Sequence, residues 1–211
     1  KKSMNKIQKL NKRTIALGTE HLKNVDSDFR RILNDRNDQI NTFKKVNGFE
    51  GLISLIVEQQ LSVASAKAIF NRLKLICDDF QPNKFLQIDE QKLKETGLSR
   101  QKILYCRNIA EAVINKTLDF AELEKMEDEE VIKVLVKIKG IGEWTAQCYL
   151  MACMKRLDAW PSSDLGLIVA IQRIKGLSER PKSLTIEKMA EPWKPFRTIA
   201  ALLLWSTYDK D

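Results

Sequence analysis

Apolar residues recur at the three-to-four-residue spacing of an α-helix through most of this 211-residue chain. The clearest example is a predicted helix from Val63 to about Cys77, which begins behind Ser62, a residue type that caps helices well. One face of this helix carries its apolar side chains: Ala66, Ile69, Phe70, Leu73 and Ile76. The chain has only eight glycines and five prolines, and no alternating apolar pattern bounded by hairpin turns. We therefore predict an all-α fold of about ten helices.

The same spacing places the other helices and some of their ends. A helix over residues 51–60 is apolar nearly all round, which indicates that it is buried in the middle of a domain. Gly97 is expected to end a short helix, whereas Pro82 and Asn83 are expected to break the chain. Two further helices are expected to begin behind caps, one at Asp26 or Ser27 and one at Ser99. These three helices are predicted over residues 28–34, 90–95 and 100–115. The remaining predicted helices cover residues 128–137, 143–154, 164–175 and 195–208.

The chain is strongly basic, with a formal net charge of +8 and a pI of about 9.3. Such an excess favours a polyanionic partner, which is most often nucleic acid, although a basic surface without such a partner is an equally open interpretation. The first 13 residues alone carry six Lys or Arg and no acid. We predict a basic N-terminal arm and first helix over residues 1–25, followed by a helical domain over residues 26–211 with no visible subdomain boundary.

Neither a membrane span nor a secretory signal is predicted, because Lys, Glu or Gln interrupts the longest apolar runs and no apolar stretch follows the first residues. The sole histidine is His21, so we expect no zinc site of ordinary spacing and no His-dependent hydrolase triad. The cysteines are scattered and form no C-x-x-C pair. We expect the reduced, buried thiols of a cytosolic or nuclear protein at Cys77, Cys106, Cys148 and Cys153.

The densest chemical signal is the segment I-K-G-I-G-E-W-T-A, residues 138–146, between two predicted helices. Gly140 and Gly142 permit unusual φ values and the close approach of another backbone. The N–H groups that open the second helix form an anion site, which suits a DNA phosphate. A bare G-x-G fits an ordinary tight turn between helices as well, whereas the whole basic segment favours DNA. We assign the DNA contacts here to Lys137, Lys139, Gly140, Gly142 and Thr145.

Two further motifs flank this hairpin in the sequence. The pattern Q-Q-x-S-x-x-x-A begins at Gln59, and an ending of the form W-x-P-F-R…A…L-W runs from Trp193 to Trp205. The three motifs, in this order, resemble those of the helix-hairpin-helix DNA glycosylase superfamily. The ending is typical of its 3-methyladenine DNA glycosylase II branch, which excises alkylated bases. The resemblance covers roughly residues 20–208, and it implies a glycosylase fold of two helical subdomains with the active-site cleft between them.

The resemblance also implies an active site. An essential Asp follows the hairpin by about twenty residues in the superfamily, and Asp164 stands there, although alone it would be an ordinary Asp of a helix's first turn. Relatives with lyase activity carry a nucleophilic Lys two residues after the second hairpin glycine. Trp144 stands at that position, and its indole cannot form a Schiff base. No cysteine follows Cys153, so we expect no iron–sulfur cluster of the kind that some relatives carry.

The parts that handle the damaged base follow from the same resemblance. A base must leave the duplex to be reached, and Gln60 stands where relatives present the plug that fills the gap, unless it is simply a surface Gln at a helix end. Trp144 and Trp205 are candidates for an aromatic pocket that attracts a cationic base, although core packing would also explain them. No cofactor is required. The resemblance implies Na+ or K+ on the hairpin carbonyls of Val136, Ile138 and Ile141.

Together these assignments predict a monofunctional glycosylase that hydrolyses the N-glycosidic bond of 3-methyladenine or 7-methylguanine in base excision repair. We expect it to act as a monomer on double-stranded DNA with damaged bases, in the cytoplasm and nucleoid of a prokaryote or the nucleus of a eukaryote. Three alternatives stay open. One is a non-catalytic helix-hairpin-helix DNA-binding module, which would not need Asp164. Another is a glycosylase for uracil or mismatched thymine, which would differ in its pocket. The third is a helical scaffold, which would leave the ordered motifs unexplained.

Overall fold

A computed structural model describes residues 8–77 and 79–208, which form thirteen α-helices and one short 3-10 helix, Glu191–Trp193. The α-helices are α1 Lys12–Val25, α2 Ser27–Asp35, α3 Phe49–Glu58, α4 Val63–Ile76, α5 Pro82–Gln87, α6 Glu90–Glu95, α7 Arg100–Ile114, α8 Phe120–Leu123, α9 Asp128–Leu135, α10 Glu143–Ala152, α11 Leu165–Ile174, α12 Ser183–Ala190 and α13 Arg197–Tyr208. The only β pairing among the described residues is an isolated bridge between Lys9 and Arg156. The predicted all-α fold is confirmed, and none of the described helices is long and apolar enough to cross a membrane.

Local capping chemistry fixes several helix ends where the sequence predicted them. The Asp26 carboxylate accepts the N–H of Asp28 (2.9 Å) at the start of α2, which settles the choice between Asp26 and Ser27. Ser62 and Ser99 cap α4 and α7 in the same way, each by accepting a backbone N–H at 3.2 Å. Gly97 follows α6 with φ of +100°, a backbone conformation that favours glycine.

Three short helices were not predicted. Pro82 begins α5 instead of breaking the chain, because proline lacks only an N–H that the first helical position does not need. The helices α8 and α12, of four and eight residues, were not recognised from the sequence either.

The chain folds as two compact units whose boundaries differ from the predicted ones. One unit is Lys45–Tyr149, and the other joins the residues up to Lys44 with those from Leu150 onward. The helices α1 and α2 pack against each other and against α13 in this second unit. The predicted division after residue 25 is therefore not the division in the structure. Residues 1–7 of the predicted basic arm lie outside the described part of the chain.

The unit Lys45–Tyr149 is built around α3, which packs against α4 and α7. Every residue of α3 from Leu52 to Val57 is buried, including Ser54, as a helix that is apolar nearly all round predicts. The helix α7 also packs against α5 and α6, and its buried residues are Ile103, Cys106, Ile109 and Ala110.

The other unit is centred on α13, which packs against α11, α1 and α2. The buried ring of Trp193 packs edge-on against Phe29 and Trp160, with ring centroids 5.0 and 5.5 Å apart. The ammonium of Lys175, at the end of α11, lies between the carboxylates of Asp26 and Asp28 at 2.8–2.9 Å. These contacts fix α11 at its C-terminal end, opposite the end that carries Asp164.

Candidate active site and nucleic-acid interface

Asp164 is the N-cap of α11, and its carboxylate accepts hydrogen bonds from a backbone N–H and from an indole N–H. Oδ1 accepts the backbone N–H of Leu167 at 2.9 Å and the indole Nε1–H of Trp205 at 2.8 Å. The side chain is half-buried, at the positive end of the α11 dipole. The helix end and the indole therefore hold a carboxylate in a defined orientation, as a group that must face a developing positive charge requires.

Trp205 lies beside Asp164 and makes a hydrogen bond to it, in addition to presenting the aromatic ring of the predicted pocket. Its indole N–H donates to the carboxylate, and its half-buried ring meets the Phe43 ring edge-on, with centroids 5.8 Å apart. The segment around Phe43 is fixed in turn, because Lys155 Nζ donates to the carbonyls of Phe43 (2.7 Å) and Ala152 (2.6 Å). The sequence does not single out Phe43 as a site residue, because Phe43 lies in an irregular segment with no apolar period.

The W-x-P-F-R motif fixes the loop that leads to Asp164. The guanidinium of Arg197 donates to both carboxylate oxygens of Asp158, at 2.9 and 2.8 Å. The Thr198 hydroxyl accepts the N–H of Ala159 at 3.1 Å. Arg197 and Thr198 are the first two residues of α13, and Trp205 lies near the end of the same helix. One helix therefore fixes both the loop and the Asp164 carboxylate.

The predicted hairpin lies between α9 and α10, and its two glycines have different roles. Gly140 has φ of +107°, and a Cβ there would lie 2.2 Å from Cγ of Tyr105, so only glycine fits. Gly142 is exposed and does not have a left-handed φ, so the expectation of unusual φ values holds for Gly140 alone. A Cβ on Gly142 would have no atom within 4 Å, which is the open approach that a DNA backbone would use.

The side chains predicted to contact DNA divide into two groups. Lys137 and Lys139 are exposed beside the hairpin, as expected. Thr145 is only 2% exposed, and its hydroxyl accepts Nε2 of Gln59 at 3.0 Å. The assignment of the Thr145 side chain to DNA is therefore corrected, because its hydroxyl bonds within the protein.

Gln60 and Trp144 belong to the unit Lys45–Tyr149. Gln60 is exposed in the turn between α3 and α4, and its φ is +56°. Trp144 is half-buried in the first turn of α10. An exposed side chain on a tight turn suits the predicted plug, and a half-buried indole suits a residue with one face available to a ligand.

The hairpin carbonyls suit the predicted monovalent cation, which takes oxygen ligands. Side-chain amides occupy two other carbonyls, since Asn108 Nδ2 donates to Lys139 O (3.2 Å) and Gln59 Nε2 to Gly140 O (3.1 Å). The predicted ligands are the carbonyls of Val136, Ile138 and Ile141, of which that of Ile138 accepts the N–H of Ile141 at 3.0 Å. A carbonyl has a second lone pair, so this bond leaves capacity for a cation.

Comparison with known proteins identifies the family. Residues 53–195 match the HhH-GPD superfamily of base excision DNA repair proteins. The chain belongs to this superfamily. It is 37% identical to the alkylbase DNA glycosidase-like protein mag2 of Schizosaccharomyces pombe, over 74% of this chain and 76% of that protein. It is 33% identical to DNA-3-methyladenine glycosylase 1 of the same organism, over 89% and 85%.

A solved structure agrees with this assignment. The S. pombe 3-methyladenine DNA glycosylase in complex with abasic DNA superposes with a TM-score of 0.85 at 31% identity, covering 90% of this chain and 95% of that one. In this HhH-GPD chain, all four cysteines are buried, as expected. The described residues hold no group of three or more His, Cys, Asp or Glu side chains that could bind a metal ion.

Proposed function

We propose that this chain is a monofunctional DNA glycosylase that flips alkylated bases, such as 3-methyladenine and 7-methylguanine, out of duplex DNA and hydrolyses their N-glycosidic bond. One observation carries the proposal: the Asp164 carboxylate is fixed at the start of α11 by the indole N–H of Trp205. The names of the relatives, an alkylbase glycosidase-like protein and 3-methyladenine glycosylases, support this substrate class.

The chemistry needs a stabiliser of positive charge more than an acid. An N-alkylated purine is already cationic, so it leaves as a neutral base with the electron pair of its bond to C1′. The sugar then carries the positive charge of an oxocarbenium ion, which the Asp164 carboxylate stabilises. Water adds its oxygen to C1′, and its proton passes to solvent or to the carboxylate.

Aromatic rings supply the affinity for a cationic base. Trp205 and Phe43 form an edge-to-face pair beside Asp164, and Trp144 is the second indole that we assign to the base. A cation over an indole face gains roughly 0.5–2 kcal/mol, most when it is desolvated. Because Trp144 has no amine, the reaction ends at an abasic site and no Schiff base forms.

The hairpin supplies the affinity for DNA. The exposed Lys137 and Lys139, with the N–H groups around Gly142, would bind phosphate without reading sequence. The carbonyls of Val136, Ile138 and Ile141 would hold a Na+ or K+ ion that bridges to the same phosphate. Gln60 is the proposed plug for the gap that the flipped base leaves. This activity places the protein with the DNA, in a prokaryotic nucleoid or a eukaryotic nucleus.

A base-release assay on methylated duplex DNA tests the proposal. Asp164→Asn should fold and bind abasic DNA, yet lose excision by a factor of about 10²–10³, typical of a lost electrostatic stabiliser. The matched control is Asp35→Asn, which removes an exposed carboxylate of the same unit and should leave excision unchanged. Strands should stay intact until alkali is added. Excision by Asp164→Asn at the wild-type rate would refute the assignment, and a borohydride-trapped adduct would refute the monofunctional mechanism.

A further inference from the structure

The turn that carries Gln60 is braced from the protein interior. The helix α3 ends at Glu58, and its last carbonyls lack partners within the helix. Lys102, on α7, donates from Nζ to the carbonyls of Val57 (2.7 Å) and Gln59 (2.6 Å). An ammonium group at the C-terminal end of a helix meets the negative end of its dipole. Lys102 therefore closes α3 immediately before the residue whose left-handed φ turns the chain, Gln60.

The neighbouring glutamine connects this turn to the hairpin. Gln59 Nε2 donates to the carbonyl of Gly140 (3.1 Å) and to the hydroxyl of Thr145 (3.0 Å). The first of these acceptors lies in the hairpin and the second in the first turn of α10. One amide thus bonds both sides of the segment that we assign to phosphate, while the next residue along the chain, Gln60, is exposed.

The helix α7 contacts both features along one side. Lys102 bonds the α3 end, and the Tyr105 ring occupies the space where a Cβ of Gly140 would lie. Asn108 donates to the carbonyl of Lys139 at 3.2 Å. These three residues follow at intervals of three, so they lie close together on the helix surface. A single rigid helix therefore fixes the Gln60 turn and the hairpin at a set separation.

Lys102 is partly buried, and this burial affects its ammonium group. Burial lowers the pKa of the Lys102 ammonium, so the charged form is held there at a cost in solvation. Its two carbonyl contacts offset that cost, and a surface lysine would not incur it. The two carbonyl contacts are what connect Lys102 to the turn.

We propose that Lys102 and Gln59 are positioning residues that lock the Gln60 turn to the hairpin, so that gripping the phosphate and filling the gap in the duplex occur as one event. The inference rests on the proposed function in one respect, since it takes Gln60 as the plug. It predicts that loosening either contact leaves the grip on undamaged DNA intact. The quantity that decreases is the additional affinity for a duplex that already lacks a base, such as an abasic-site duplex.

The test compares binding of a tetrahydrofuran abasic-site duplex with binding of the undamaged duplex, using Lys102→Met and Gln59→Met. Neither duplex is hydrolysed, so the readout is independent of excision. Each variant should lower the preference for the abasic duplex on the order of tenfold and leave the affinity for undamaged DNA within about twofold. A 2-aminopurine base beside the lesion should show reduced unstacking. Lys102→Arg, which keeps a cationic donor, should restore both signals.

The matched control is Lys92→Met, which removes one exposed positive charge from α6 of the same unit and should leave the preference unchanged. An unchanged preference in folded Lys102→Met and Gln59→Met would overturn the inference. An equal loss for both duplexes would also overturn it, because that result marks a merely structural role. If Lys102→Met fails to fold, Gln59→Met and Lys102→Arg decide the question.

Two further results separate this inference from the proposed function. If Gln60→Ala keeps the full preference for abasic DNA, Gln60 is not the plug and the inference falls. If the wild-type protein releases no methylated base but the variants still lose the preference, the proposed reaction fails while the coupling of turn and hairpin stands.

Discussion

The hydrogen bond between Trp205 and Asp164 makes the sharpest prediction about the chemistry. Trp205→Phe removes the indole donor, which lies 2.8 Å from Oδ1 of Asp164, and keeps an aromatic ring for the contact with Phe43. The backbone N–H of Leu167 still donates to the same oxygen. The variant therefore retains the carboxylate and one of its two donors on that oxygen, but loses the contact from α13 that fixes its rotation.

The expected loss follows from the strength of the missing bond. A hydrogen bond to a charged group contributes roughly 1.5–3 kcal/mol, which corresponds to a factor of about 10–150 in rate if the whole contribution were lost in the transition state. Because Leu167 still holds the carboxylate, we expect a smaller loss of about 1–2 kcal/mol, or roughly five- to thirtyfold in excision rate. Asp164→Asn should cost more, about 10²–10³-fold.

Single-turnover excision of 7-methylguanine from a duplex, followed by alkaline cleavage, measures this loss directly. Affinity for the abasic duplex should stay within about twofold, since no proposed DNA contact is removed. Phe43→Leu is the complementary variant, because it keeps the indole donor to Asp164 and removes the ring contact of Trp205 that we assign to base affinity. Wild-type excision by Trp205→Phe would refute the idea that the indole positions the carboxylate, and parallel losses of rate and affinity would point to a displaced helix.

Four further changes test the site and the hairpin. Gly142→Val should fold and lose affinity for abasic DNA even at low salt, and full affinity in the folded variant would make the hairpin an ordinary turn. Gly140→Ala should instead lower the free energy of unfolding by about 2–4 kcal/mol in a urea titration, because the φ of +107° and a neighbouring ring exclude a Cβ. Gly166→Ala would place a Cβ 3.1 Å from Oδ1 of Asp164, so excision should fall several-fold while the melting temperature holds or rises, and an unchanged rate would contradict the crowding. Lys139→Ala should flatten the plot of log affinity against log salt by up to about one unit, and an identical slope would remove this lysine from the phosphate contacts.

The sequence was most informative where a structure depends on neighbouring residues. The caps at Ser62 and Ser99 and the glycine at Gly97 were predictable because each acts within one helical turn. Asp164 was expected in the first turn of a helix and proves to be the N-cap of α11, whereas its catalytic role rests on its place after the hairpin and stays a prediction. Pro82 was misread because the same residue that breaks a helix interior also begins a helix well.

Roles that depend on distant contacts could not be predicted. Phe43 meets Trp205 across more than 150 positions of sequence, and neither lies in a pattern that includes the other. Gln59 and Gln60 are the same residue type, so residue type alone does not distinguish their backbone geometry, exposure or hydrogen bonds. The left-handed φ of Gln60 accompanies its exposure, while the Gln59 amide bonds the hairpin. Thr145 was assigned to DNA from its motif, but its hydroxyl is used by that amide.

The two units place their proposed functional residues by the same physical means, at the end of a helix. Asp164 lies at the positive N-terminal end of α11 and is fixed by Trp205 from α13. Gln60 lies just past the negative C-terminal end of α3, which Lys102 closes from α7. The Lys102 ammonium is matched to the negative helix end, whereas the Trp205 N–H is matched to the carboxylate that caps the positive one. Substitutions in the bodies of α3 and α11 should therefore change stability first, whereas substitutions of the two braces should change function while the helices persist.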